Sequence, residues 1–90
     1  MFPKVSIIVP VFNAQNYLAR CLDSLIGQTM REVEIICVND GSIDQSLIIL
    51  QKYADIDNRI IVLDQQNSGV SKARNNALKY VRGEYYMFVD

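Results

Sequence analysis

Asp40 lies in the run Asn39-Asp40-Gly41-Ser42, directly after a stretch of β-branched residues. A carboxylate there can accept a hydrogen bond from the N3–H of uracil, a donor that cytosine lacks, so one acid would separate two pyrimidines. Gly41 would let the chain turn without a side chain against the ring. The same residues are also ordinary turn chemistry, with Ser42 placed as a helix cap, and alone they do not decide between the two readings. Further on, Asn67-Ser68-Gly69-Val70-Ser71-Lys72-Ala73-Arg74 sets two cations into the first turns of an expected helix. Cations oppose the helix dipole at that end, which points to an anionic partner such as Asp40 or a diphosphate. The plain alternative is a solvated Lys72 and an internally paired Arg74. At the chain end, Gly83-Glu84-Tyr85-Tyr86-Met87-Phe88-Val89-Asp90 delivers a carboxylate where a hard cation and phosphate oxygens could meet, although one carboxylate is not a metal site.

These groups need elements to position them, and the chain alternates between two patterns. Short apolar runs at 5–9, 33–38, 59–63 and 85–89 read as strands, the last an aromatic-rich buried one. Such near-continuous runs suit a parallel sheet covered on both faces. Between them, Tyr17, Leu18, Cys21, Leu22, Leu25 and Ile26 form one helical stripe; Ile43, Leu47, Leu50 and Ala54 a second; Val70, Ala73, Ala77 and Val81 a third. Ser42-Ile43-Asp44-Gln45 has the capping-box pattern for the second helix, Ser68 is placed to cap the third, and Gly83 to close it. The order β-α-β-α-β-α-β with right-handed crossovers predicts strand order 3-2-1-4, with helices on both faces. Strands 1 and 4 then flank the crevice where open α/β sheets bind ligands. Residues 10–13, 39–42, 65–69 and Asp90 all fall on that edge.

Composition narrows the classes. The chain has 90 residues, half of them hydrophobic, and a net charge of −1 with no basic block, which argues for one small globular domain and against nucleic-acid binding. No apolar run approaches the ~20 residues that span a bilayer, and the first residues run straight into a patterned strand, so no targeting segment is read. Histidine is absent, which removes the commonest general base. Cys21 and Cys37 lack metal-ligand spacing, sit at core positions, and are expected to be reduced. The loop after strand 1, residues 10–16, has no glycine, which excludes a dinucleotide fingerprint and a P-loop. Its Pro10 and asparagines could equally do no more than end a strand and cap a helix. A receiver domain is excluded because no acidic pair follows strand 1.

Taken in order, residues 5–13, Tyr17-Leu18, residues 21–25 with Gln28-Thr29, residues 34–42, Asn67-Ser68-Gly69, Ala73-Arg74-Asn75 and Gly83-Glu84-Tyr85 resemble glycosyltransferase family 2. The resemblance covers essentially the whole chain. It implies an α/β, Rossmann-like GT-A fold with a partly parallel sheet, and makes residues 1–90 the N-terminal nucleotide-binding part of a domain whose acceptor-binding half lies beyond them. It implies a nucleotide-binding set of Pro10, Phe12, Asn13, Asp40, Gly69 and Arg74: Pro10 and Phe12 line the nucleoside pocket, Asp40 meets uracil, and Arg74 lies near the diphosphate. Asn39 departs from the family, where Asp is common. Asp90 looks like the first Asp of a DxD motif holding Mg²⁺ or Mn²⁺.

The implied reaction is transfer of a sugar from a nucleotide-sugar donor, expected to be a UDP-sugar, to a glycan or lipid-linked acceptor hydroxyl with inversion, as in surface polysaccharide synthesis. The resemblance puts the complete enzyme in the cytoplasm, peripheral at the inner membrane face. It puts no catalytic base within this chain, which as given is expected to have no turnover. A non-catalytic α/β nucleotide-binding or interaction module remains the alternative, and a nucleotidyltransferase is disfavoured by the loop after strand 1.

Overall fold

The computed structural model describes residues 3–28 and 31–89. The elements run β1 (Val5–Val11), α1 (Leu18–Gln28), β2 (Val33–Asp40), α2 (Ser46–Ile56), β3 (Ile60–Gln65), α3 (Val70–Leu78) and β4 (Tyr85–Phe88). The strands form one four-stranded sheet in the order β3-β2-β1-β4, and every neighbouring pair is parallel. The expected order 3-2-1-4 is the one observed.

Alternation along the central strands builds two cores. Ile7, Val9 and Val11 of β1, with Ile35 and Cys37 of β2, pack against Leu18 and Leu22 of α1 and Leu50 of α2. Ile8, Ile36 and Val38 point to the opposite face and meet Ala73 and Ala77 of α3. Side chains on a strand change face at every residue, so one continuous apolar run supplies both layers. The two alanines leave little between α3 and the sheet, which brings the start of that helix close to the strand ends. Both cysteines are free. Burial, with Cys21 nearby, pushes the Cys37 thiol up to about 12, so it stays protonated and behaves as a small core hydrophobe.

Local expectations fail in four places. The second helix begins at Ser46, and no capping box forms at Ser42. Residues 42–45 are instead tied to the β1–α1 loop, Ile43 is 91% exposed, and the buried stripe is carried by Ser46 and Leu50. Ser68 does not cap the third helix: Gly69 occupies that position, and the Ser68 hydroxyl donates to the Gln66 carbonyl. Gly83 lies beyond the helix end at Leu78, against β1, where a Cβ would stand 2.8 Å from Ser6 Oγ. Finally, β4 is not buried. It is the edge strand beside β1, and Tyr85, Tyr86, Met87 and Phe88 are all exposed because no helix among the described residues covers either of its faces.

Candidate functional site

The carboxyl ends of β1, β2 and β3 converge with the start of α3. β3 runs two residues further than its apolar pattern, because side chains continue the ladder where hydrophobic pairs stop. Asn39 is paired with Asp64 in register and donates to its carboxylate at 2.9 Å. Asp40 is paired with Gln65, whose amide nitrogen donates to Asp40 Oδ1 at 2.8 Å. An amide at position 39 suits this place, since a second carboxylate would face Asp64 at hydrogen-bond distance.

Asp40, only 4% exposed, organises the β3–α3 loop. Its Oδ1 also accepts the Ser68 N–H at 2.8 Å, and its Oδ2 accepts the Gly69 N–H at 3.0 Å. Asn67 Nδ2 donates to the Asp40 carbonyl at 3.0 Å and, more weakly, to Oδ2 at 3.3 Å. Burial alone would raise the Asp40 pKa, but the donors from Gln65, Ser68 and Gly69 outweigh it and hold the acid below its ordinary 3.8. A carboxylate at the start of α3 also suits that helix's positive end. Gly41 makes the turn possible. Its φ is +71°, and a Cβ there would lie 2.5 Å from the Asn67 backbone nitrogen.

A cavity of about 440 Å³ opens at this junction, lined by Pro10, Val11, Phe12, Asp40, Asn67, Gly69 and Val70. Four of the six residues expected to bind nucleotide, Pro10, Phe12, Asp40 and Gly69, therefore meet at one hollow. Phe12 is 51% exposed and offers an uncommitted aromatic surface. Asn67 and Val70 also line it. Asn67 lies in the 65–69 segment expected on this edge, although the expected nucleotide-binding set did not name it.

Asn13 and Arg74 do not line that cavity. Asn13, at φ 48°, interlocks two loops: its N–H donates to Ser42 Oγ and its Oδ1 accepts the Ile43 N–H, both at 2.9 Å. Gln15 and Asp44 repeat the arrangement, with Gln15 N–H donating to Asp44 Oδ2 and Gln45 N–H to Gln15 Oε1. Ser46 Oγ accepts the Ala14 N–H. These bonds hold the β1 tip beside the β2 tip, so Asn13 shapes the wall that carries Pro10 and Phe12. The Arg74 guanidinium lies 5.2 Å from the Phe88 ring centroid, a cation–π distance. Lys72 is exposed.

Asp90, the expected metal ligand, lies outside the described residues. Among those residues no group of three or more His, Cys, Asp or Glu is placed to hold a metal ion.

Several known proteins are similar to this chain. Glycosyltransferase EpsJ of Bacillus subtilis, uncharacterized in function, is 50% identical over 90 residues, covering 100% of this chain and 26% of that protein. Glycosyltransferase GlyA of Streptococcus pneumoniae is 48% identical over 87 residues, covering 97% of this chain and 12% of that protein. The crystal structure of residues 1–349 of TarS from S. aureus in complex with UDP-GlcNAc superposes with a TM-score of 0.89 at 42% identity, covering 97% of this chain and 26% of that one. The chain thus spans about a quarter or less of the length of these proteins. The family model for glycosyl transferase family 2 matches residues 6–90, and with that the resemblance read from the strand ends becomes membership: the chain belongs to glycosyl transferase family 2.

Proposed function

We propose that this chain is the N-terminal, donor-nucleotide-binding part of an inverting glycosyltransferase that uses a UDP-sugar. The observation that carries the reading is the single hollow shared by Pro10, Phe12, Asp40, Asn67 and Gly69. Pro10 and the Phe12 ring offer apolar surface to a base face. Asp40 is an ionised acceptor suited to the uracil N3–H. Arg74, on the same helix as Val70, supplies positive charge towards a diphosphate. The UDP-GlcNAc complex of TarS supports a uridine donor.

In this reading the described residues bind and orient the donor. Asp40 reads the base, and the Asn13–Ser42 interlock keeps the two walls of the cleft in register. Asp90, with carboxylates beyond this chain, would hold Mg²⁺ or Mn²⁺, which when bound would supply positive charge against the leaving diphosphate. No described side chain is assigned as the base that deprotonates the acceptor hydroxyl. The 90 residues alone are therefore proposed to lack turnover, and the acceptor, a glycan or lipid-linked hydroxyl, to be held by the rest of the domain. The complete enzyme is placed in the cytoplasm, peripheral at the inner face of the membrane, where a lipid-linked acceptor would lie.

Calorimetric titration of the chain and of Asp40→Ala with UDP and Mn²⁺ tests this. Binding by the native sequence that is lost in the variant supports the assignment. Equal binding of CDP, whose base lacks the N3–H, contradicts it.

A further inference from the structure

Gln65 is the last residue of β3 and stands opposite Asp40 in the parallel ladder. Its side chain is held at both ends. Nε2 donates to Asp40 Oδ1 at 2.8 Å, and Oε1 accepts from Asn76 Nδ2 of α3 at 3.0 Å. An ionised carboxylate can only accept, so the amide must present its nitrogen to Asp40; Asn76 then answers the oxygen left on the other side.

The two oxygens of Asp40 are used unequally. Oδ1 carries two donors, Gln65 Nε2 and the Ser68 N–H, both at 2.8 Å. Oδ2 carries the Gly69 N–H at 3.0 Å and the longer Asn67 contact at 3.3 Å. Asn67 Nδ2 already has the Asp40 carbonyl at 3.0 Å, so its hold on Oδ2 can be given up at little cost. Oδ1 holds two short donors, and Oδ2 can take an incoming donor in place of its long Asn67 contact.

Resting on the uridine reading above, we propose that Gln65 is a positioning residue for base selectivity, which pins Oδ1 of Asp40 so that Oδ2 is left to meet the uracil N3–H. Gln65 does not touch the base; it acts through Asp40, and Asn76 fixes it from α3. The role requires a neutral donor at position 65. A carboxylate there can replace the amide only while one proton is shared between the two acids, because adjacent like charges raise a carboxyl pKa. The other charged groups on the elements packed here are Asp64 of β3, bonded to Asn39 on the sheet's other face; Glu34 of β2, bonded to Ser6 and Arg82; Lys52 and Asp55 of α2; exposed Lys72; and Arg74, whose guanidinium lies over Phe88; β1 contributes none. The lowered pKa of Asp40, with Gln65 first among its stabilising donors, agrees with this arrangement.

The test is equilibrium binding of UDP and CDP to the whole chain, to Gln65→Glu and to Gln65→Leu, between about pH 5.5 and about pH 8. The native chain should prefer UDP by a ratio that is flat with pH. Gln65→Glu should keep that ratio at the acid end and lose roughly tenfold as pH rises, while Gln65→Leu should be low at every pH. A Gln65→Glu ratio equal to native throughout overturns the proposal, as does a loss as flat with pH as that of Gln65→Leu. If the native chain itself shows no preference, the uridine reading fails separately. Carbon-detected NMR of the Asp40 carboxyl in the free proteins then decides the positioning role: a higher titration midpoint in Gln65→Leu supports it, and an unchanged one overturns it.

Discussion

The backbone N–H of Gly69 donates to Oδ2 of Asp40 at 3.0 Å, across 29 residues of sequence. That one bond ties the tip of a central strand to the start of α3. It makes the base-reading acid and the loop that encloses the hollow a single unit, so changes to either are felt by both.

Replacing Asp40 by Ala leaves the Ser68 and Gly69 N–H groups and the Gln65 amide without their acceptor. Such losses cost about 1–3 kcal/mol for each group that water does not reach, and we expect roughly 2–3 kcal/mol in denaturant unfolding. The pH dependence has a definite sign. The folded pKa lies below the ordinary 3.8, so the carboxylate's contribution is complete above 3.8 and lost as pH falls through the folded value. The stability gap between the native chain and Asp40→Asn should therefore narrow on acidification below that window.

Gly41 and Gly69 both have positive φ, yet they should respond differently to alanine. At Gly69 a Cβ meets nothing within 4 Å, so only the backbone strain of φ +98° is added. At Gly41 a Cβ would also strike the Asn67 backbone at 2.5 Å. Thermal unfolding should show Gly69→Ala losing about 1 kcal/mol and Gly41→Ala clearly more.

Glu34, the second residue of β2, is an acid buried on a central strand. Its Oε2 accepts from the Ser6 hydroxyl and from the Arg82 N–H at 2.7 Å, while Ser6 Oγ accepts the Gly83 N–H at 3.0 Å. Burial pushes its pKa up, but the Ser6 and Arg82 donors prevail and bring it below 4.5. The Arg82 side chain is 56% exposed, so its charge adds little and the neutral donors matter more. Glu34→Leu should strand the Arg82 N–H, cost about 2 kcal/mol, and loosen β4. Hydrogen exchange at Tyr85, whose N–H donates to the Lys4 carbonyl, is the direct readout.

The fold was legible because its signals were redundant: β-branched runs and three apolar stripes alternated in one order and led to one topology. The convergence of Pro10, Phe12, Asp40 and Gly69 followed from topology alone. What was not legible depended on where single polar groups spend their bonds. Ser42 has the composition of a cap but serves Asn13, and Asp44 divides its carboxylate between the Ser46 N–H at the start of α2 and the Gln15 N–H, a choice fixed only once β1 and β2 are neighbours. Asn13 and Arg74 were expected at the nucleotide; their contacts to the Ser42 loop and to the Phe88 ring are an addition that only the packed strands reveal. The apolar run of β4 suggested burial, yet an edge strand carries such a run uncovered unless another element packs on it.

The central claim is that a uridine nucleotide occupies the hollow at the carboxyl ends of β1 and β2. Amide chemical-shift mapping of the chain with UDP addresses it directly. The account predicts perturbations concentrated at Val11, Phe12, Asp40, Gly41 and 67–70, absent in Asp40→Ala. Shifts centred instead at the opposite end of the sheet, around Glu32, Arg59 and Arg82, would contradict it.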